Sequence, residues 1–147
     1  MYQKIIEYAE ALDKISRERR RDFHRYPETA WLEMRTSAVI AKVLTELGYE
    51  VLTGKDVCLE SSRLGVPSSE ELKEHAERAL LQGAPAEYLT EEMRAGFTGV
   101  IGILRCGEGP VTALRFDIDA LGLTEDENVN HRPFAEGFAS RNPGMMH

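Results

Sequence analysis

No apolar stretch of this sequence approaches the ~18 residues that a membrane-spanning helix needs, so nothing in it reads as a helical span. The opening, MYQKIIEYAEALDK, carries three acidic residues by position 13 and no apolar h-region, which argues against a secretory signal and makes the cytoplasm the expected compartment. Cys58 and Cys106 are the only cysteines. Two isolated cysteines without a signal are expected to be free thiols, not a disulfide framework. Neither has a partner at C-x-x-C spacing, and His24, His75, His131 and His147 include no H-x-x-x-H pair. Taken alone, the chain therefore holds no complete zinc site. It also lacks G-x-x-x-x-G-K-[ST] and G-x-G-x-x-G, and no Ser sits in a nucleophile elbow. Those absences remove the phosphate cradle and the Ser-His-Asp triad as readings. There is no internal repeat and no low-complexity segment.

What is present is the composition of a soluble globular domain: 147 residues, 42% apolar and 29% charged. A chain of this length can bury roughly 68–70% of its unfolded surface. A net charge of −7 disfavours nucleic acid and anionic membrane as partners. The basic run Arg17–Arg25 is better explained as a solvated helix end, where cations suit the macrodipole.

Ile5, Tyr8, Leu12 and Ile15 share one helical face, and Pro27 ends that first helix near Arg25. A second helix fits Leu32 to Leu47, with Val39, Ile40, Val43, Leu44 and Leu47 as its stripe and Gly48 at the left-handed C′ position. YEVLT reads as a strand, and residues 55–67 as loop. Ser68 and Glu71 form a capping-box pattern for a third helix, with inner-face residues Leu72, Ala76, Ala79 and Leu80 and an end at Gly83. Pro85 is placed to open a short helix reaching about Met93. GVIGILRCG and VTALRFDID, joined by the four residues GEGP, are expected to form a hairpin. From Ala120 to His147 no periodic element is expected, and the stretch fits an active-site loop or a strand-to-helix crossing whose helix is absent.

Chemistry is concentrated at RFDIDAL. Asp117 and Asp119, at the end of an apolar strand, would lie on one face roughly 7 Å apart. Carboxylates there could bind a hard cation, orient a metal-bound His, or serve as acid and base. The competing structural reading is an Asp pair that caps loop donors. His24, in RRDFHRYPE, is either a structural hydrogen-bonding residue or part of a site; His75 lies on the solvent side of its helix; His131 and His147 lie in loops.

Three stretches resemble one family. RRDFHRYPETAWLEMRTSAVIAKVLTELGYEV, ALRFDIDAL and HRPFAEGFASRNPGMMH are similar to the metal-dependent amidohydrolases, carboxypeptidase-like metallopeptidases that cleave N-acyl and peptidyl amides such as aminobenzoyl-glutamate. The SRLGVPSSEELKEHAERALLQGA insertion is typical of the aminobenzoyl-glutamate branch. The resemblance implies an α/β fold: the N-terminal portion of a zinc-peptidase-like catalytic domain, with helices packed on a mixed sheet and incomplete. Residues 1–147 would then be the N-terminal part of the catalytic domain, with its remainder and the lid and dimerisation domain absent. It also implies two divalent ions, manganese or zinc, whose ligands are expected just after His147. This chain by itself would bind no metal and be inactive. Asp119 matches the aspartate that orients the metal centre in the wider relatives; Asp117 matches a position where those relatives have a metal-binding His. The implied partners are a small N-acyl amino acid substrate and a related companion protein (the B-type subunit of such hydrolases), with no nucleic acid and no membrane.

Two other readings stand beside it. One is a haloacid-dehalogenase-like phosphohydrolase with Asp117 as nucleophile and Asp119 as acid/base, although that signature continues to Thr or Val where Leu121 stands. The other is a non-catalytic binding or assembly partner of the B-type companion.

Overall fold

Leu72, Ala76 and Ala79 recur at helical spacing and are buried, so the third amphipathic segment of the sequence becomes a core helix. The computed structural model describes residues 2–147. Its elements are α1 (Tyr2–Arg25), α2 (Met34–Glu46), β1 (Glu50–Thr53), α3 (Ser69–Leu81), α4 (Glu91–Arg94), β2 (Val100–Ile103) and α5 (Arg132–Ala135), with short 3-10 turns at Gly54–Asp56 and Glu60–Ser62. The chain divides into two compact units. One is Glu28–Ala120; the other joins the residues up to Pro27 to Leu121–His147.

In the Glu28–Ala120 unit, α2, α3 and α4 enclose a core of Leu32, Met34, Ala38, Ala41, Leu72, Ala76, Ala79, Leu89 and Met93. Ser68 starts α3 as the sequence implies: its side chain accepts from the Glu71 N–H at 3.2 Å. Gly48 takes φ +83 beyond α2 and Gly83 φ +87 beyond α3, the left-handed conformation that glycine adopts without a Cβ penalty. β1 and β2 pair antiparallel in register Glu50↔Ile103 through Thr53↔Val100. Gly102 sits close under two side chains in that register: a Cβ there would come within 3.0 Å of Leu44 Cδ1 and 3.1 Å of Tyr49 Cδ1, so both would have to shift.

Several expectations are corrected. The hairpin does not form: β2 pairs with β1 instead, and Val111–Asp119 runs without a ladder. A run apolar on both faces needs neighbouring strands on both sides, and no described strand pairs with it. Val111, Leu114 and Phe116 are 95%, 77% and 76% exposed. The sheet is accordingly a two-stranded antiparallel one, not a mixed sheet. In α2 the buried face is Met34, Ala38 and Ala41; Val39, Ile40, Val43 and Leu44 are half-buried and Leu47 is exposed. The stripe is rotated because the small alanines face the helix packed against them. Leu80 of α3 is likewise exposed. Pro85 opens only a turn, with Tyr88 and Leu89 N–H on its carbonyl, and α4 begins after Thr90, whose hydroxyl accepts from Met93 N–H at 3.1 Å.

In the other unit, α1 matches the expected helix and its end, yet none of its residues is buried. The loop 121–147 carries α5 and closes on itself where Leu121 and Met146 exchange backbone hydrogen bonds of 2.9 and 3.1 Å. No described helix is long and apolar enough to cross a membrane. Cys58 and Cys106 are free thiols, as the sequence implies.

Candidate functional site

The segment leading into α2 carries two glutamates that sequence reasoning passed over. The Glu28 carboxylate is fully buried and accepts from the backbone N–H of Arg35 (3.0 Å) and Thr36 (2.8 Å), the orphan donors of the α2 N-terminus. Burial pushes its carboxyl up, against the lowering effect of those two bonds. Glu33 is also buried and accepts from the Thr98 hydroxyl at 2.6 Å. Burial again raises its carboxyl, opposed by the Thr98 bond and assisted by the charges of Asp119 and Glu28. The signal available in the sequence was acidic residues clustered before an amphipathic helix, where they favour the helix dipole.

Asp117 and Asp119 do not form the expected pair on a strand face, because residues 117–119 are not in a strand. Both are exposed. Asp117 Oδ1 is 2.6 Å from Arg115 Nη2, a surface ion pair. Asp119 precedes Ala120, whose N–H donates to the Glu28 carbonyl at 2.8 Å and whose bridge to Thr29 fixes the end of the run. His75 is half-buried and accepts from Arg78 Nη2 at 2.7 Å; burial lowers its basicity, as does the Arg78 charge.

In the other unit the structure assembles a histidine–glutamate cluster. Glu125 Oε1 lies 2.7 Å from His24 Nε2 and 2.8 Å from His131 Nε2, and Oε2 accepts from the Ser140 N–H. With the proton on Nε2, each ring donates to the same oxygen. Burial by itself would raise the Glu125 carboxyl, but the Ser140 N–H and the two rings together hold it below the usual carboxylate range. The edge of His24 meets Phe138 with centroids 5.5 Å apart, and the Arg21 guanidinium lies 4.4 Å over the same ring. Arg21 and Arg132 both pair with Glu136. Two further ties hold the loop: Arg141 N–H on the Arg25 carbonyl at 2.8 Å and Asn142 Nδ2 on the Pro27 carbonyl at 2.7 Å. A pocket of about 340 Å³ opens beside them, lined by Glu125, Phe134, Ser140, Arg141, Asn142 and Met145 among others. His147 is exposed at the end of this loop.

The structure therefore brings together His24 and His131, which the sequence offered separately, through a Glu125 that sequence reasoning missed. It does not pair Asp117 with Asp119 as a donor set; Asp117 is held by Arg115. Among the described residues no three of His, Cys, Asp and Glu are placed to hold a metal ion. His24 and His131 direct Nε2 at a shared carboxylate oxygen, a hydrogen-bonded geometry and not a coordination shell. The resemblance places the ligands of its dinuclear centre beyond His147, and among the described residues no donor set for it is assembled.

The fold is shared with a solved protein. The aminobenzoyl-glutamate utilization protein from Klebsiella pneumoniae superposes with a TM-score of 0.65 at 40% identity, over 67% of this chain and 25% of that one. By sequence the chain is homologous to named hydrolases. It is 48% identical over 129 residues to the A-type subunit of p-aminobenzoyl-glutamate hydrolase from Escherichia coli K12, and 46% identical over 129 residues to indole-3-acetyl-aspartic acid hydrolase of Enterobacter agglomerans. Each alignment covers 87% of this chain, which spans 29% of the length of those relatives. No family model matches the chain. The resemblance read from the three sequence stretches is borne out.

Proposed function

We propose that this chain supplies the scaffold of a hydrolase that cleaves the amide bond of aminobenzoyl-glutamate or a similar N-acyl amino acid. The observation that carries this reading is the 48% identity sustained over 87% of the chain. Residues 1–147 act as part of the catalytic domain, in which Asp119 is a positioning residue. The dinuclear manganese or zinc chemistry of the family draws no ligand set from these residues, so the chain by itself is expected to be inactive. A B-type companion protein belongs to the same reading, since two relatives are named as one lettered subunit of their hydrolase.

The test is a chimera. The matching segment of the Escherichia coli hydrolase is replaced by this chain, and release of glutamate from aminobenzoyl-glutamate is measured with the natural companion protein present. Retained turnover supports the reading. A soluble, folded chimera without turnover sinks it.

A further inference from the structure

We propose that Glu125 is the positioning residue of the 121–147 loop: its single carboxylate fixes His24 and His131 as their Nε2–H tautomers and so holds the Leu121–Met146 closure. The three side chains come from separate stretches. His24 is in the last turn of α1, His131 immediately precedes α5, and Glu125 lies between Leu121 and α5. Glu125 Oε1 is 2.7 Å from His24 Nε2 and 2.8 Å from His131 Nε2, and the glutamate side chain is 6% exposed. An ionised carboxylate has acceptors and no proton to give. Both rings must therefore carry a proton on Nε2, which leaves each Nδ1 bare when the ring is neutral. Oε2 accepts from the Ser140 N–H, so three donors from three stretches converge on one group.

The closure needs such a tie. Leu121 and Met146 are joined by two backbone hydrogen bonds outside any ladder, and bringing the ends of the loop together costs chain entropy. Arg21 on Glu136, the Arg141 N–H on the Arg25 carbonyl and Asn142 Nδ2 on the Pro27 carbonyl anchor the later part of the loop to the end of α1. Glu125 joins the earlier part to it, reaching α1 through His24, the start of α5 through His131 and the later part through Ser140. Phe138, 3% exposed, meets the edge of His24, so a turned ring would lose that contact as well. All of these contacts lie within one compact unit, and none of them depends on an exposed face.

The clasp stands without the proposed reaction; its effect on turnover rests on that reading, because Leu121 follows Asp119 by two residues. Two measurements keep the two apart. Long-range proton–nitrogen correlation spectra of the 147-residue chain at about pH 8, above the ordinary imidazole value, should show Nε2–H for both rings. Amide hydrogen exchange on the same sample should show Leu121 and Met146 protected. Glu125→Gln cannot satisfy all three donors, since its NH2 group must face either the two rings or the Ser140 N–H. It should speed exchange at Leu121 and Met146 on the order of tenfold, while Ala76 and Ala79 of α3 stay protected. His131→Gln keeps a donor near the Nε2 position and should retain the protection that His131→Ala loses. Mixed tautomers in the parent chain, or exchange indifferent to Glu125→Gln, overturn the clasp. In the Escherichia coli chimera, Glu125→Gln should lower kcat on the order of tenfold with KM changed less. A parent chimera without turnover sinks the hydrolase reading and leaves the clasp to be decided by the spectra and the exchange rates. An active chimera indifferent to Glu125→Gln overturns the positioning role in turnover.

Discussion

Glu28 Oε2 accepts a 2.8 Å hydrogen bond from the backbone N–H of Thr36, so a side chain from outside α2 caps that helix from within the core. Glu28→Ala removes the cap and leaves the Arg35 and Thr36 N–H groups buried without an acceptor. The expected cost is about 2–4 kcal/mol, from the lost cap and the stranded donors. Glu28→Gln keeps one acceptor oxygen and should lose about half as much. Urea unfolding followed by circular dichroism reads both; equal midpoints for Glu28→Ala and the parent chain would show the cap to be energetically idle.

Glu125 and Glu33 predict opposite pH responses. The Glu125 carboxyl is lowered in the folded chain, so the stability it confers is present above its unfolded value of about 4.3 and is lost as pH falls through the lower folded value. Glu125→Gln should therefore lower stability at neutral pH and flatten the acid side of the stability profile. The measurement is thermal midpoint against pH for the two proteins, and parallel curves would contradict it.

The Glu33 carboxyl is raised, so its contribution is largest below its unfolded value and declines as pH rises through the folded one. Glu33→Gln keeps the acceptor for the Thr98 hydroxyl without the buried charge. It should leave stability nearly unchanged in mild acid and increase it above neutrality. A variant less stable than the parent at every pH would show that the carboxylate itself is required.

Trp31 holds φ +67, a left-handed conformation that disfavours any residue with a Cβ. It is kept there by the Leu64 carbonyl, which accepts from its indole N–H at 2.9 Å, and by the Arg63 guanidinium 5.7 Å over its ring. Trp31→Ala and Trp31→Gly lose those contacts equally, but only glycine relieves the backbone. Trp31→Gly should be the more stable of the two by about 1 kcal/mol, measured by chemical denaturation. The reverse order would remove the strain argument.

Val111, Leu114 and Phe116 expose apolar side chains on a backbone that joins no ladder, so its N–H and C=O groups are open to pairing with another chain. Val111→Lys with Phe116→Lys should slow aggregation several-fold by light scattering while leaving the unfolding midpoint unchanged, since both side chains are exposed. A large loss of stability would mean that the run is packed in solution.

Local chemistry made much of the fold legible. The Ser68 cap and the Leu72, Ala76 and Ala79 spacing define α3, Pro27 ends α1 two residues after Arg25, and Gly48 closes α2, because each depends on residues a few positions apart. The similarity to the aminobenzoyl-glutamate hydrolases was likewise legible, since it resides in contiguous stretches. What the sequence could not decide is pairing across distance. Whether GVIGILRCG pairs forward with VTALRFDID or back with EVLT depends on which ladder the α2 packing favours, and β2 joins β1 across 46 intervening residues. His24 and His131 read as isolated helix-end and loop residues and Glu125 drew no reading, and only the closure of the 121–147 loop sets Glu125 beside a histidine 101 positions away. Burial of the Glu28 and Glu33 carboxylates is a tertiary outcome too. A sequence pattern shows that a residue can ionise, but the surrounding atoms determine how much water that charge keeps.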